Sequence, residues 1–121
     1  MTEAAPSLQQ LTDRLIEFRD EREWRQFHSL KNLILSLNLE AAELLELTQW
    51  SDDATFELAS RETDAHQQIR EECADVLNYL LLIAERCEFD LSKAAAEKIT
   101  KNAIKYPIDK SRGKSTKYTQ L

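Results

Sequence analysis

An all-α fold resembling a four-helix bundle is expected for this chain, on three features of its sequence. A single Gly and two Pro in 121 residues leave little with which to build the tight turns of an antiparallel sheet. The strong helix formers Leu, Ala, Glu, Lys, Gln and Arg dominate the composition. Apolar residues recur at spacings of three and four, the helical period. The length allows one domain, able to bury roughly two thirds of its unfolded surface. A lone Gly also rules out GxGxxG and GxxxxGK phosphate loops.

The first helix is expected to start at Ser7, where Ser7 and Gln10 have capping-box spacing. Leu8, Leu11, Leu15 and Phe18 form its apolar face, and the charge-dense stretch Arg19–Arg25 marks an exposed segment or its end. Trp24 and Phe27 follow as an aromatic pair beside His28. A second helix is predicted from Leu30 to Trp50, with Leu30, Leu33, Ile34, Leu37, Ala41, Leu44 and Leu45 on its apolar face. Ser51–Asp53 breaks it and can cap the next segment. Residues 54–66 read as a polar loop with room for a short helix. The third helix spans about Gln67 to Cys87, and its run Val76–Ala84 is apolar nearly all round, apart from Asn78 and the Tyr79 hydroxyl. Such a helix is central in its fold or lies in an oligomer interface. After a turn at Glu88–Leu91, a fourth helix runs from Ser92 to Lys105 and stops before Pro107. The domain is therefore set at 1–107, with a polar, basic tail at 108–121.

The net charge of −6 is unevenly spread. Residues 105–121 carry five basic residues and one acidic, the rest of the chain 11 and 21. An acidic body argues against nucleic-acid binding, which needs a basic face to neutralise phosphates. Cys73 and Cys87 lie fourteen apart, matching neither CxxC nor a zinc array; in their apolar surroundings they are expected to be buried free thiols of a reducing compartment. Pro6, Gln9 and Gln10 interrupt the first apolar residues, so no signal segment is expected. The longest apolar run, Tyr79–Ala84, is too short to span a bilayer. A cytoplasmic protein is the expectation.

Two acidic pairs stand out because apolar residues surround them. Glu40 and Glu43, and Glu72 and Asp75, are each three apart, so each pair shares one helical face. Packing the two helices together would gather four carboxylates, whose mutual repulsion raises their proton affinity. A divalent cation resolves that conflict, and an all-oxygen donor set favours Mg²⁺ or Mn²⁺ over Zn²⁺. The alternative is neutralisation by Arg70 or Lys31, each of which reaches part of the cluster. A ferritin-like di-iron site is excluded, because its Glu-x-x-His motif is absent.

The ordered set Glu40-x-x-Glu43, a 28-residue spacer, then Glu72-x-x-Asp75 resembles the signature of the all-α nucleoside triphosphate pyrophosphohydrolases, the MazG-like superfamily. Further stretches resemble its dCTP pyrophosphatase branch: Glu21–His28 with Lys31-Asn32, Leu44–Trp50, Glu71–Leu80, and Lys98-x-x-x-Asn102-x-x-Lys105-Tyr106-Pro107. Together they cover about residues 15–107. Leu39 stands where many superfamily members have another Glu, and the dCTP branch often lacks it too.

The resemblance implies hydrolysis between the α- and β-phosphates of a nucleoside triphosphate, with dCTP or a related pyrimidine nucleotide as substrate. Glu40, Glu43, Glu72 and Asp75 are the implied metal ligands and catalytic groups. Trp24, Trp50 and Tyr79 are candidates for stacking on the base, against a default of core packing. Asn78 is placed to read base edges, and His28 to contact phosphate or cap the second helix. Lys31, Lys98, Asn102, Lys105 and Tyr106 are carried over as substrate contacts, and a dimer or tetramer is implied. Two other readings compete: a non-catalytic helical oligomer binding nucleotide or protein, and a dUTPase-like or broad-range all-α dNTPase.

Overall fold

Six α-helices and two short 3₁₀ turns, with no strand, make up the described part of the computed structural model, residues 4–121. Residues 1–3, the start of the expected domain, lie outside the described residues. Helix α1 (Leu8–Glu21) opens with the expected capping box: the Gln10 N–H donates to Ser7 Oγ at 3.1 Å, and the Ser7 N–H to Gln10 Oε1 at 2.8 Å. Such reciprocal pairing satisfies two donors that the first helical turn leaves orphaned. Helix α2 (Leu30–Glu46) is capped by Ser29, whose Oγ accepts the Asn32 N–H at 3.2 Å; His28 therefore caps nothing.

Helix α2 is shorter than its apolar pattern predicts. From Leu47 the amides bond three residues back, Thr48 to Leu45 and Gln49 to Glu46. The Thr48 hydroxyl donates to the Leu45 carbonyl at 2.7 Å, a side-chain bond that competes with helix propagation. The segment read as a loop holds a seven-residue helix, α3 (Asp53–Ala59), capped by Asp52, and the start of α4 (Thr63–Arg86). The room left for a short helix is thus filled by α3, with the Asp52 cap signal at its start, whereas polar composition hid the early start of α4 from a periodicity argument. Helices α5 (Leu91–Lys105) and α6 (Ile108–Ser111) follow, and Pro107 separates them.

The described residues divide between Glu88 and Phe89 into two compact units. In the first, α4 packs on both α2 and α1. Leu33 from α2 and Leu81, Leu82 and Ala84 from α4 are its buried apolar residues. The all-round apolar stretch of α4 is thus central, as expected. Both cysteines, by contrast, are exposed. Cys73 sits one step round the helix from the core-facing row Ile69, Glu72, Val76, and Cys87 follows the last turn of α4; apolar neighbours in sequence do not seal either. In the second unit Tyr106 meets Tyr118 edge-on at 6.0 Å, and Lys105 Nζ lies 4.8 Å from the Tyr118 ring centre.

The expectation for Arg19–Arg25 is half met: α1 ends at Glu21, but Arg19 is buried. Beyond the helix Glu23 turns left-handed at φ 55°, which lets the Trp24 N–H bond the Arg19 carbonyl at 3.0 Å. A left-handed residue with a side chain is strained by about 1–2 kcal/mol, partly offset in Gly by the entropy of its unfolded chain. Glu23→Gly is therefore expected to stabilise the protein by about 0.5 kcal/mol, read as a higher urea midpoint. Glu23→Val, β-branched at the same φ, should lower it.

Candidate active site

The core-facing rows of α2 and α4 each contain a glutamate where an apolar residue is expected. On α2 the row is Leu33, Leu37, Glu40, Leu44, and on α4 it is Ile69, Glu72, Val76, the helical i, i+3, i+4, i+7 stripe. Because α2 packs on α4, the two glutamates are brought between the helices. Glu43, one turn after Glu40, joins them: Glu40, Glu43 and Glu72 each offer an oxygen within 4.8 Å of the others'. Asp75 lies one turn beyond Glu72. Its charge acts on Glu40 and Glu72, and its side chain borders the adjoining cavity.

Charge crowding shows in proton affinity. Burial, then the hydrogen bond and charge of Glu43, then the charges of Asp75 and Glu72, push the Glu40 carboxyl up to about 7. Glu72 is raised as well, by burial first and by Glu43 and Asp75 next. Oε2 of Glu40 and Oε2 of Glu72 are both buried and meet no hydrogen-bond partner. The described ion pairs are Arg19–Asp20, Arg19–Glu85 and Arg22–Glu21, so neither Arg70 nor Lys31 neutralises the cluster. Unpaired buried anionic oxygens are costly. An all-carboxylate set of this kind, with two oxygens left without a partner, fits a hard divalent cation.

Beside the carboxylates opens a cavity of about 400 Å³, bounded by α1, the α1–α2 connection and α4. Asp75, Asn78 and Tyr79 border it from α4, Trp24 and His28 from the connection, and Phe18 and Arg19 from α1. Its surface is mostly apolar, with a few converging polar groups, the make-up of a small-molecule site. Trp24 is fixed there by the left-handed turn at Glu23 and by edge-on contact with Phe18 at 5.7 Å. His28 is half-buried with Nδ1 sealed off and unpartnered, and burial, then the Arg19 charge, hold its pKa below the ordinary histidine value.

Of the residues singled out in the sequence, Trp24, His28, Asp75, Asn78 and Tyr79 border this one cavity. Lys31 is exposed in the first turn of α2 and does not border it. Trp50 is 94% exposed, on a left-handed residue at φ 70°, and stays outside the cavity as well. Lys98, Asn102 and Lys105 stand four and three apart on one face of α5 in the second unit, all exposed, and Tyr106 packs there on Tyr118. Sequence reasoning missed Arg19, Arg14, Phe18, Leu11 and Leu15 as cavity walls. The spacing of the last three marked them as an inward stripe, but a stripe facing a core and one facing a cavity have the same period. Nothing in the pattern set Arg19 apart from its charged neighbours.

Comparison with known proteins adds four findings. The MazG-like family pattern matches residues 35–121. The chain is 40% identical over 116 residues to rat (Rattus norvegicus) dCTP pyrophosphatase 1, an alignment covering 96% of this chain and 68% of the relative. Against dCTP pyrophosphatase 1 of Homo sapiens the identity is 39% with the same coverage. The crystal structure of a pyrophosphatase from Archaeoglobus fulgidus superposes with a TM-score of 0.74 at 40% identity, covering 88% of this chain and 98% of the other.

Proposed function

This chain belongs to the MazG-like family, and on that premise we propose that it is a nucleoside triphosphate pyrophosphatase. It hydrolyses the α–β anhydride of a nucleoside triphosphate, with dCTP or a related pyrimidine nucleotide preferred. One water is consumed, and a nucleoside monophosphate and pyrophosphate leave. The observation that carries this reading is the placement of two buried, unpartnered glutamate oxygens beside an aromatic-walled cavity. The dCTP pyrophosphatases among its relatives support the choice of base.

Glu40, Glu43, Glu72 and Asp75 would hold Mg²⁺, or Mn²⁺ in its place. When bound, such an ion neutralises triphosphate charge and makes coordinated water more acidic. The chain's own groups do the rest. Trp24 and Tyr79 give the base two aromatic surfaces in the cavity, and stacking of this kind contributes about 1–3 kcal/mol per base. Asn78 offers an amide to the base edge. A carboxylate of the cluster left free of ligand duty accepts the proton of the attacking water. Lys98, Asn102 and Lys105 on one face of α5 suit the triphosphate.

Self-association belongs to the same reading. Leu35 is 57% and Leu39 59% exposed, four apart on α2, an apolar row that a second copy would cover in a dimer or tetramer. The unpaired cysteines support a reducing, cytoplasmic setting, with removal of unwanted nucleotides from the pool as the role. No helix of the described residues is long and apolar enough to cross a membrane.

The test is pyrophosphate release from each common NTP and dNTP, with Mg²⁺ and with EDTA. Equimolar pyrophosphate and monophosphate, fastest from dCTP and absent in EDTA, is the expected result. Folded protein that releases none from any of them overturns the reading.

A further inference from the structure

We propose that Arg19 is a positioning residue: it fixes His28 as a neutral Nε2–H donor facing the cavity, which selects a base that presents a hydrogen-bond acceptor there. The inference rests on the pyrophosphatase reading for its substrate, and on geometry for the pair itself. Arg19 is the buried charged residue of the described chain, 7% exposed. Two carboxylates hold its guanidinium: Nε donates to Asp20 Oδ1 at 2.9 Å, and Nη1 to Glu85 Oε2 at 3.5 Å. Arg19 and His28 border the same cavity. Neither Asp20 nor Glu85 borders it, so the clamp fixes Arg19 from outside and leaves the wall cationic.

His28 carries the consequence. Its Nδ1 is buried and has no partner, whereas its other ring nitrogen is not sealed off. A proton on Nδ1 would be an unpaired buried donor within reach of the Arg19 charge. A lone pair there is instead attracted to the arginine, so the single proton of the neutral ring belongs on Nε2. The depressed proton affinity of His28 agrees with this, since burial and the Arg19 charge both disfavour the imidazolium. The other charged or titratable groups bordering the cavity are Arg14 from α1 and Asp75 and Tyr79 from α4. Among these charges, that of Arg19 is the one that acts on His28.

A neutral Nε2–H donates and does not accept. Its match on a pyrimidine is a carbonyl oxygen or an unprotonated ring nitrogen. An imidazolium would also attract phosphate, so neutrality keeps this part of the cavity for the base. Arg19 touches no reacting atom in this arrangement; its influence passes through His28.

The experiment pairs NMR with kinetics on the full chain. The sequence holds two histidines, His28 and His66, so two-bond ¹⁵N–¹H spectra of the imidazoles are simple, and a His28→Phe spectrum assigns them. We expect His28 to show the Nε2–H tautomer at pH 7 and to protonate below the ordinary histidine value. In Arg19→Met its midpoint should rise and the Nδ1–H form appear; Arg19→Lys should restore the wild-type signature. Glu85→Gln, which loosens the clamp and keeps the arginine, covers the case in which Arg19→Met fails to fold, and should move the midpoint the same way by less. In pyrophosphate release, His28→Phe should raise KM for the best substrate about 10-fold with kcat changed less than about 3-fold, the size of one lost hydrogen bond in a closed site. An Nδ1–H tautomer in the wild type overturns the proposal. So does a His28 midpoint that neither Arg19→Met nor Glu85→Gln moves, or a kcat loss with unchanged KM. Wild-type protein that turns over no nucleotide overturns the enzymatic reading and the base-selecting role with it, while the NMR signature still decides whether Arg19 fixes the ring.

Discussion

Glu43→Gln and Asp75→Asn are each expected to cut pyrophosphate release by more than about 100-fold, the upper range for removing a group that merely supports a metal ligand. Circular dichroism should show the helices intact. The two substitutions separate by their second effects. Glu43 is the neighbour that raises both Glu40 and Glu72, by hydrogen bonding and by charge. Replacing it with a neutral amide relieves both, so Glu43→Gln should melt higher than wild type in EDTA while binding Mg²⁺ more weakly. Asp75 touches two parts of the site, since it adds charge to the cluster and borders the cavity. Asp75→Asn should therefore weaken Mg²⁺ binding and also change the KM measured for the best nucleotide at saturating Mg²⁺. Either variant with near-normal turnover in Mg²⁺ would remove the cluster from the chemistry.

The acidic cluster was legible in the sequence because its evidence is a conflict. Glu40 falls in the row Leu33, Leu37, Leu44 and Glu72 in the row Ile69, Val76, and a glutamate on an inward stripe requires a compensating partner. That conflict can be seen without coordinates. The cavity was legible only in pieces. Trp24, His28, Asn78 and Tyr79 were candidates for separate reasons, and their meeting depends on how α1 turns back at Glu23, a left-handed residue that no local pattern marks. Arg19 was invisible for a related reason. It stands among Asp20, Glu21, Arg22, Glu23 and Arg25, and which member of a charged run is buried is settled by packing against α4, where Glu85 waits 66 positions away. The cysteines erred in the opposite direction. Apolar neighbours along the chain suggested burial, while the helix turned Cys73 away from the stripe.

In EDTA the protein should be most stable on the acid side, and Mg²⁺ should reverse that preference. Glu40 is raised in the fold to about 7 from a usual carboxylate value of 4.5, and Glu72 is raised in the same direction. A folded state that holds protons more tightly than the unfolded chain is stabilised at low pH, and the benefit is lost as pH climbs through the folded value. For Glu40 that window runs from about pH 4.5 to about 7. The apo melting temperature should therefore fall across this interval, in which Asp20 and Asp52, whose values are lowered, are already ionised. A cation on the same oxygens competes with protons, so Mg²⁺ should stabilise little at pH 5 and most above pH 7. Glu40→Gln isolates the cause. It removes an acid that the fold keeps between two helices with an unpartnered oxygen, a burden of about 1–3 kcal/mol for a buried polar atom. The apo variant should melt on the order of 5 °C above apo wild type at pH 8, lose most of the pH slope, and gain almost nothing from Mg²⁺. An apo protein whose melting temperature rises steadily from pH 5 to 8, or a Glu40→Gln variant that melts lower and still responds to Mg²⁺, would show that the cluster is neutralised by something other than a bound cation.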